Sequence, residues 1–247
     1  MSKGILAVLI VVAVVVVLAA AWTGIGYAVS HSSGPLVTEA RQISSFTAVD
    51  VRGSGKLIIT QGSAPSLVVE ARRGVLDKVR TTVSGGTLTL DRRGRWFTPW
   101  TFWGDDQVTY RLTVTDLTKI EAHGSADIQG QQTLVADQLE VSGSGSSDIT
   151  LELKVQTLNV QTSGSGDVSL SGTADVLNFT SSGSSDLHSR GLQSRVATIK
   201  CSGSSDVEVS ASQQLNVDIS GSGDVSYAGN PAVKSSISGS GDINRLE

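Results

Sequence analysis

A chain of 247 residues with 27 glycines, only 4% aromatic side chains and a net charge of −4 suits a narrow aliphatic core and disfavours a large cleft. The single cysteine, Cys201, excludes an intramolecular disulfide. The length exceeds the roughly 100–150 residues of a typical domain. A repeat array grows without a new core, so one elongated domain plus an anchor accounts for it, with no second, enzyme-like domain.

The N-terminus reads as a membrane segment. Met1 to Lys3 is a short positive head, followed by the uninterrupted apolar run Ile5 to Trp22. A spanning helix needs about 20 apolar residues, and this run with Thr23 to Val29 behind it is long enough, Trp22 and Tyr27 falling at the far interface. Such a run either spans a membrane or directs export, and Ala19-Ala20-Ala21 offers a signal-peptidase site. The stretch exceeds the usual signal core of about 7–15 residues, which favours an uncleaved anchor, one transmembrane helix within residues 1–29. No Cys precedes Cys201, so a lipoprotein anchor is excluded. Lys3 is followed by no basic side chain before Arg41, so the short N-terminus is expected in the cytoplasm and residues 30–247 outside it.

Residues 30–43, with Ser, Gly and Pro in His31 to Thr38, read as a linker, and the folded unit is expected over 44–247. Phe46 to Val51 alternates like a strand and runs into Arg52-Gly53-Ser54-Gly55-Lys56-Leu57. Further strands are expected at Leu57 to Thr60, Leu67 to Glu70, Thr87 to Leu90 and Val108 to Val114, with turns at Gln61 to Ser63, Ser84 to Gly86 and Thr115-Asp116. Val75 to Val79 suits a short helix or a strand. Between these strands lies an aromatic stretch, Trp96, Phe97, Trp100, Phe102 and Trp103, holding three of the four Trp residues. Large aromatics there suit either of two tasks. They can cover the open end of a repeat array, or they can offer indole faces to sugar rings or lipid headgroups.

The second half repeats. Ser163-Gly164-Ser165-Gly166-Asp167-Val168 has close copies around Asp127, Asp148, Asp186, Asp206, Asp224 and Asp242, so that successive Asp positions differ by 21, 19, 19, 20, 18 and 18. Nine and seven places before successive Asp positions stand Leu139/Val141, Leu158/Val160, Leu177/Phe179, Ala197/Ile199 and Leu215/Val217, a strand period. Five before come Ala122, Gly143, Thr162, Ser181, Cys201, Ile219 and Ile237, in phase with the same inward face; Cys201 is a small buried filler. The apolar residue after each Asp starts a second strand, and glycine lets the corner between them turn. The period predicts an all-β solenoid, a parallel β-helix of about 18–21 residues per coil. About eight coils at strand spacing make a rod roughly 40 Å long. Arg52 to Leu57 is an eighth corner, with Lys56 in the Asp place.

Phe46 to Gly55, Gln61 to Glu70 and Leu112 to Asp127, together with the repeated Ser-Gly-Ser-Gly-Asp corner, resemble the family described as putative auto-transporter adhesin, head GIN domain. The resemblance covers about residues 44–245. It implies a bacterial envelope protein with a right-handed β-helix fold and brings with it no established catalytic residues. Lys56 and the aromatic stretch depart from the family pattern.

The column Asp127, Asp148, Asp167, Asp186, Asp206, Asp224 and Asp242 stacks carboxylates about 5 Å apart. Ca²⁺ is one way to bridge them, as in calcium-binding β-rolls, but those repeat every nine residues. The favoured reading is a structural cap, each Asp accepting from N–H groups of its own corner, with no cofactor required. Catalysis finds little support: His31, His123 and His188 fall in a linker and at corners, and no nucleophile elbow or metal-ligand spacing occurs. Residues 31–119 hold 12 basic against 8 acidic side chains, net +4, and residues 120–247 hold 6 against 15, net −9, so nucleic acid is not an expected partner. The expected function is a membrane-anchored extracytoplasmic module for adhesion or scaffolding, held through residues 5–22 and contacting envelope polysaccharide or another surface protein. The alternatives are an enzyme acting on surface polysaccharide, of lyase or hydrolase type, and a Ca²⁺-stabilised rod.

Overall fold

A computed structural model describes residues 34–92 and 107–246. The apolar run 5–22 and the aromatic stretch 96–103 lie outside the described residues. Among those described, no helix is long and apolar enough to cross a membrane.

The described chain is a β-solenoid of about seven turns, one fewer than the corner count predicts. Its regular part is carried by long bent strands: β7 (Lys119–Gly130), β8 (Leu134–Gly145), β9 (Asp148–Gly164), β10 (Val168–Ser181), β11 (Leu187–Cys201) and β12 (Val207–Ile219). The last turn consists of β13 (Val225–Ala228), β14 (Ala232–Ile237) and β15 (Ile243–Arg245). Every pairing from β7 upward is parallel and nearly in register, so Leu139, Leu158, Leu177, Ala197 and Leu215 form one column. Val141, Val160, Phe179, Ile199 and Val217 form the next. All ten are buried, and each fully buried Val, Leu, Ile or Phe is worth about 1.5–3 kcal/mol. The polar residue between the two columns is half-buried, and there Asn178 donates through Nδ2 to Asn159 Oδ1 at 2.9 Å, a side-chain ladder along the rod.

The N-terminal part is built differently. β2 (Ala48–Gln61) lies directly below β7, with Gly53 opposite Gly124 and Lys56 opposite Asp127. The chain then leaves the spiral for residues 62–118 and builds beneath β2. β3 (Ser66–Arg72), the one-turn helix α1 (Arg73–Leu76), β4 (Val79–Ser84), β5 (Thr87–Arg92) and β6 (Thr109–Val114) belong to this excursion. β5 runs parallel under the first half of β2 and β6 parallel under the second. β4 then pairs antiparallel with β5, and β3 with β6. The segment read as able to be helix or strand is both in turn, α1 and then the start of β4.

One boundary needs correction. Leu36–Arg41, read as part of a linker over 30–43, is a strand, β1, antiparallel to β3 from Leu36 opposite Arg72 to Arg41 opposite Leu67. Its alternation is weak because every one of its residues stays at least partly exposed on an edge strand, with Glu39 and Arg41 paired at 2.6 Å. Backbone pairing with β3, rather than burial, holds it.

Candidate functional site

The most regular feature is the corner column. A Cβ placed on Gly164 would lie 2.0 Å from the carbonyl oxygen of Gly145, so no side chain fits there unless the backbone moves. The corners are tied by amide bonds: Ser165 N–H donates to Gly145 O, Ser184 N–H to Gly164 O and Ser222 N–H to Gly203 O, at 2.8–2.9 Å. The glycines are therefore needed chiefly for this close approach of coil on coil. Positive φ, the reason expected from sequence, applies as well at Gly53, Gly124 and Gly145 (94°, 104° and 84°), and at Gly203 and Gly239 (156° and 152°).

Where the Asp side chains accept an amide, it is not from their own corner, the reading favoured from the sequence, but from the next coil; four of the seven do so, while Asp127 takes Gln129 and Lys56 instead. Asp148 Oδ1 accepts from the N–H of Asp167 at 3.1 Å, Asp186 from Asp206 at 2.9 Å, Asp206 from Asp224 at 3.0 Å and Asp224 from Asp242 at 2.8 Å. The carbonyl of Asp167 in turn accepts from Ile149 N–H at 2.9 Å, and the same bond recurs up the column. After the tight glycine, the chain is held by its neighbour's carboxylate where a regular ladder would use a carbonyl. Among the described residues, no group of three or more His, Cys, Asp or Glu side chains is placed to hold a metal ion.

On a different edge of the rod, the stacked coils leave a shallow groove of about 520 Å³. Ala136, Val155, Ala174 and Ser194, in register, make its floor. Lys154, Thr173 and Gln193 line one wall, and Asp137, Gln156, Asp175 and Arg195 the other. Gln156 Nε2 donates to Asp137 Oδ1 at 3.0 Å, while Arg195 reaches Gln213 at 3.4 Å. Sequence reading missed this site because each coil contributes only two or three ordinary polar or small residues. The available signal is a polar or charged residue recurring eleven positions before the Asp, as at Asp137, Gln156, Asp175, Arg195 and Gln213.

A third arrangement sits over β2, β7 and β8. Asp50 is 4% exposed and takes Arg52 Nε at 2.8 Å, leaving Oδ1 without a hydrogen-bond partner. That bond and the charge of Asp50 hold the Arg52 guanidinium above its ordinary pKa. His123 lies beyond, its Nε2 3.8 Å from Asp50 Oδ1 and its Nδ1 2.8 Å from Ser144 Oγ. Beside it, hydrogen bonds to Glu121 and Glu140 raise the pKa of Lys119. The Asp50–His123–Ser144 row is acid, imidazole and hydroxyl in line, but 3.8 Å exceeds hydrogen-bond range and His123 is half exposed. The fit to general-base chemistry is poor.

Trp96, Phe97, Trp100, Phe102 and Trp103 lie outside the described residues. In sequence they fall between β5 and β6, which pair with β2 on either side of its Gly53–Gly55 corner. Cys201 is buried as expected, and burial raises its thiol pKa to about 11.

These features define a parallel β-solenoid with an open lateral groove and a glycine-aspartate corner ladder. The chain belongs to the putative auto-transporter adhesin, head GIN domain family, whose model matches residues 45–231. Its fold is similar to that of a putative adhesin from Bacteroides fragilis NCTC 9343, at 23% identity and TM-score 0.80 over 86% of this chain and 97% of that one. It is also similar to a putative lipid binding protein from Parabacteroides distasonis ATCC 8503 (23% identity, TM-score 0.68, 87% and 98% covered). A putative adhesin from Parabacteroides merdae ATCC 43184 gives 18% identity and TM-score 0.66, with 87% and 97% covered. At these identities the likeness concerns the fold alone. No curated protein matches the chain.

Proposed function

We propose that this chain is an extracytoplasmic binding module of adhesin type, held at the cell membrane by residues 5–22, that engages envelope polysaccharide or another surface protein without turning it over. The observation that carries the reading is the lateral groove. It runs along the stacked coils, so an extended polymer would meet a further pair of wall residues at each step of about 4.8 Å. Its walls offer amides, carboxylates, a lysine and an arginine to hydroxyl and charged groups, over a floor of Ala136, Val155, Ala174 and Ser194. The names of the similar structures, adhesins and a lipid binding protein, agree with binding as the activity. The aromatic stretch 96–103 is the second contact surface, suited to stacking on sugar rings.

An enzyme reading would rest on Asp50, His123 and Ser144, and the gap between His123 and Asp50 leaves it without an aligned base. The test is a glycan array probed with the full chain in detergent. Wild type is compared with Asp175→Ala/Arg195→Ala and with Trp100→Ala/Trp103→Ala, each checked for unchanged melting. Glycan binding lost in the groove variant supports the reading, and equal binding by all three proteins sinks it. Protease added to spheroplasts should cut the folded unit or residues 30–43. A mature N-terminus near Trp22 would replace anchoring by secretion.

A further inference from the structure

The two ends of the rod are finished differently. At the base, β1, β3 and β4 run antiparallel across the last layers, and the outermost strand β1 carries the Glu39–Arg41 pair. At the other end β14 pairs only with β12, and β15 only with β13, among the described residues. β14 continues the two core columns. Val233 stands over Leu215, Ser235 over Val217 and Ile237 over Ile219. Its predecessors are buried, whereas every residue of β14 is exposed, Val233 at 39% and Ile237 at 44%. Among the described residues, β14 thus presents an unpaired row of backbone donors and acceptors beside two inward-pointing aliphatic side chains, the surface that recruits another strand.

We propose that this edge binds a second copy of the same chain, β14 against β14 in antiparallel register about a two-fold axis through Ser235. Three observations select that occupant. First, a two-fold normal to the sheet keeps both interiors on one side only if residues of like parity face each other. With Ser235 opposite itself, Val233 meets the partner's Ile237 and Ile237 meets the partner's Val233, two apolar pairs from one strand. Second, the charges agree. Lys234 then faces the partner's Ser236, which stacks on Asp218 in its own coil, so the lysine points toward a carboxylate. The next register, with Lys234 on the axis, would oppose two lysines directly, which is unfavourable. Third, the chain climbs as it winds. Gly229 to Pro231 enter β14 from the level of β13, and β15 continues one strand above β13. The two-fold sets the raised β15 side of one copy over the lower side of the other, so the ramp is self-complementary. The product is a rod of doubled length with the two antiparallel bases at its far ends. This interface is independent of the glycan-binding reading and of the membrane anchor.

Site-directed cysteine cross-linking of the full chain in detergent tests the register. Under mild oxidation Ser235→Cys should migrate mostly as a disulfide-linked dimer on non-reducing gels. Wild type, whose Cys201 is buried, should run as a monomer on the same gels, and Lys234→Cys should cross-link at least about tenfold less. Adding Ile237→Lys to Ser235→Cys should abolish the dimer while leaving the circular dichroism and melting curve unchanged, since Ile237 is exposed in a single copy. No dimer from a folded Ser235→Cys chain overturns the proposal. Stronger cross-linking at Lys234 than at Ser235 overturns the register, and a cross-link that survives Ile237→Lys overturns the apolar pairing.

Discussion

The base layer under β2 and the coils above β7 enclose one continuous core but are stabilised by different rules. In the coils, backbone stacks on backbone with parallel register, and a residue's tolerance is set by the coil beneath it. In the base, antiparallel pairing and the α1 turn let the chain change direction, and the layers approach less closely. Where a Cβ on Gly55 would stand, the Val108 carbonyl oxygen lies 3.1 Å away and a ring carbon of the buried Tyr110 3.2 Å away, so side chain and backbone share the space.

The sharpest contrast is between equivalent substitutions in the two regions. Gly164→Ala drives a methyl to 2.0 Å from Gly145 O, where only backbone can yield, and should cost on the order of 3 kcal/mol or more. Gly85→Ala, in the base hairpin between β4 and β5, meets nothing within 4 Å and has only its φ of 57° to oppose it. Its cost should be about 1–2 kcal/mol. Urea unfolding of both variants checks the order, and equal costs would show that close stacking does not control the coils.

Alkaline titration addresses the same comparison through protons. Burial raises Tyr110 in the base from 10.0 to about 12 and Cys201 in the coils from 9.0 to about 11. In each case the unfolded chain loses its proton first. Stability is therefore complete below the unfolded value and falls as pH rises through the folded one, over about pH 10–12 for Tyr110 and 9–11 for Cys201. A shift of that size corresponds to about 2–3 kcal/mol for the fully buried phenol. Tyr110→Phe should flatten the upper part of the pH–stability curve and Cys201→Ala the lower part. An unchanged slope in both variants would mean that neither group governs alkaline unfolding.

The Asp column should matter less per residue. Asp224 accepts one amide from Asp242, so Asp224→Ala should cost about 0.5–2 kcal/mol, the scale of a lost side-chain cap. Asp224→Asn, which keeps an acceptor oxygen, should cost less, and chelator should leave the melting temperature of wild type in place. A fall of several degrees with chelator would instead favour calcium bridging of the carboxylates.

How far each feature was legible follows from the distance between the residues that make it. The coils were readable because their inward columns and corners all recur once per coil, so Leu158, Leu177 and Leu215 announce one another. The bond from Asp148 to Asp167 was half legible. The residue and its capping role could be inferred, but the choice between its own corner and the next coil depends on how close the coils approach. The base was readable only as separate strands. Nothing near β5 signals that it lies under β2, from which β3, α1 and β4 separate it in the chain, because an excursion carries no repeat to align. The groove and the His123–Ser144 contact were legible only in part: the step of 21 from Asp127 to Asp148 already sets His123 over Ser144, but how the side chains turn and how closely they approach is not carried by the spacing.

Lys56 marks the junction of the two regions, and its substitution should have the smallest effect. It holds the first place in the Asp column, with Nζ 3.4 Å from Asp127 Oδ2 and both side chains partly exposed. An exposed pair of this kind contributes about 0–1 kcal/mol, so Lys56→Met should shift the melting temperature slightly. Lys56→Asp goes further, since it continues the carboxylate column into the base and places like charges on facing residues of β2 and β7. Its penalty should exceed that of Lys56→Met at low salt and shrink toward it at physiological ionic strength, where the Debye length falls from about 30 Å to about 8 Å. If Lys56→Asp is instead as stable as wild type at low salt, the lysine is not a countercharge for the column. The base would then accept the same corner chemistry as the coils above it.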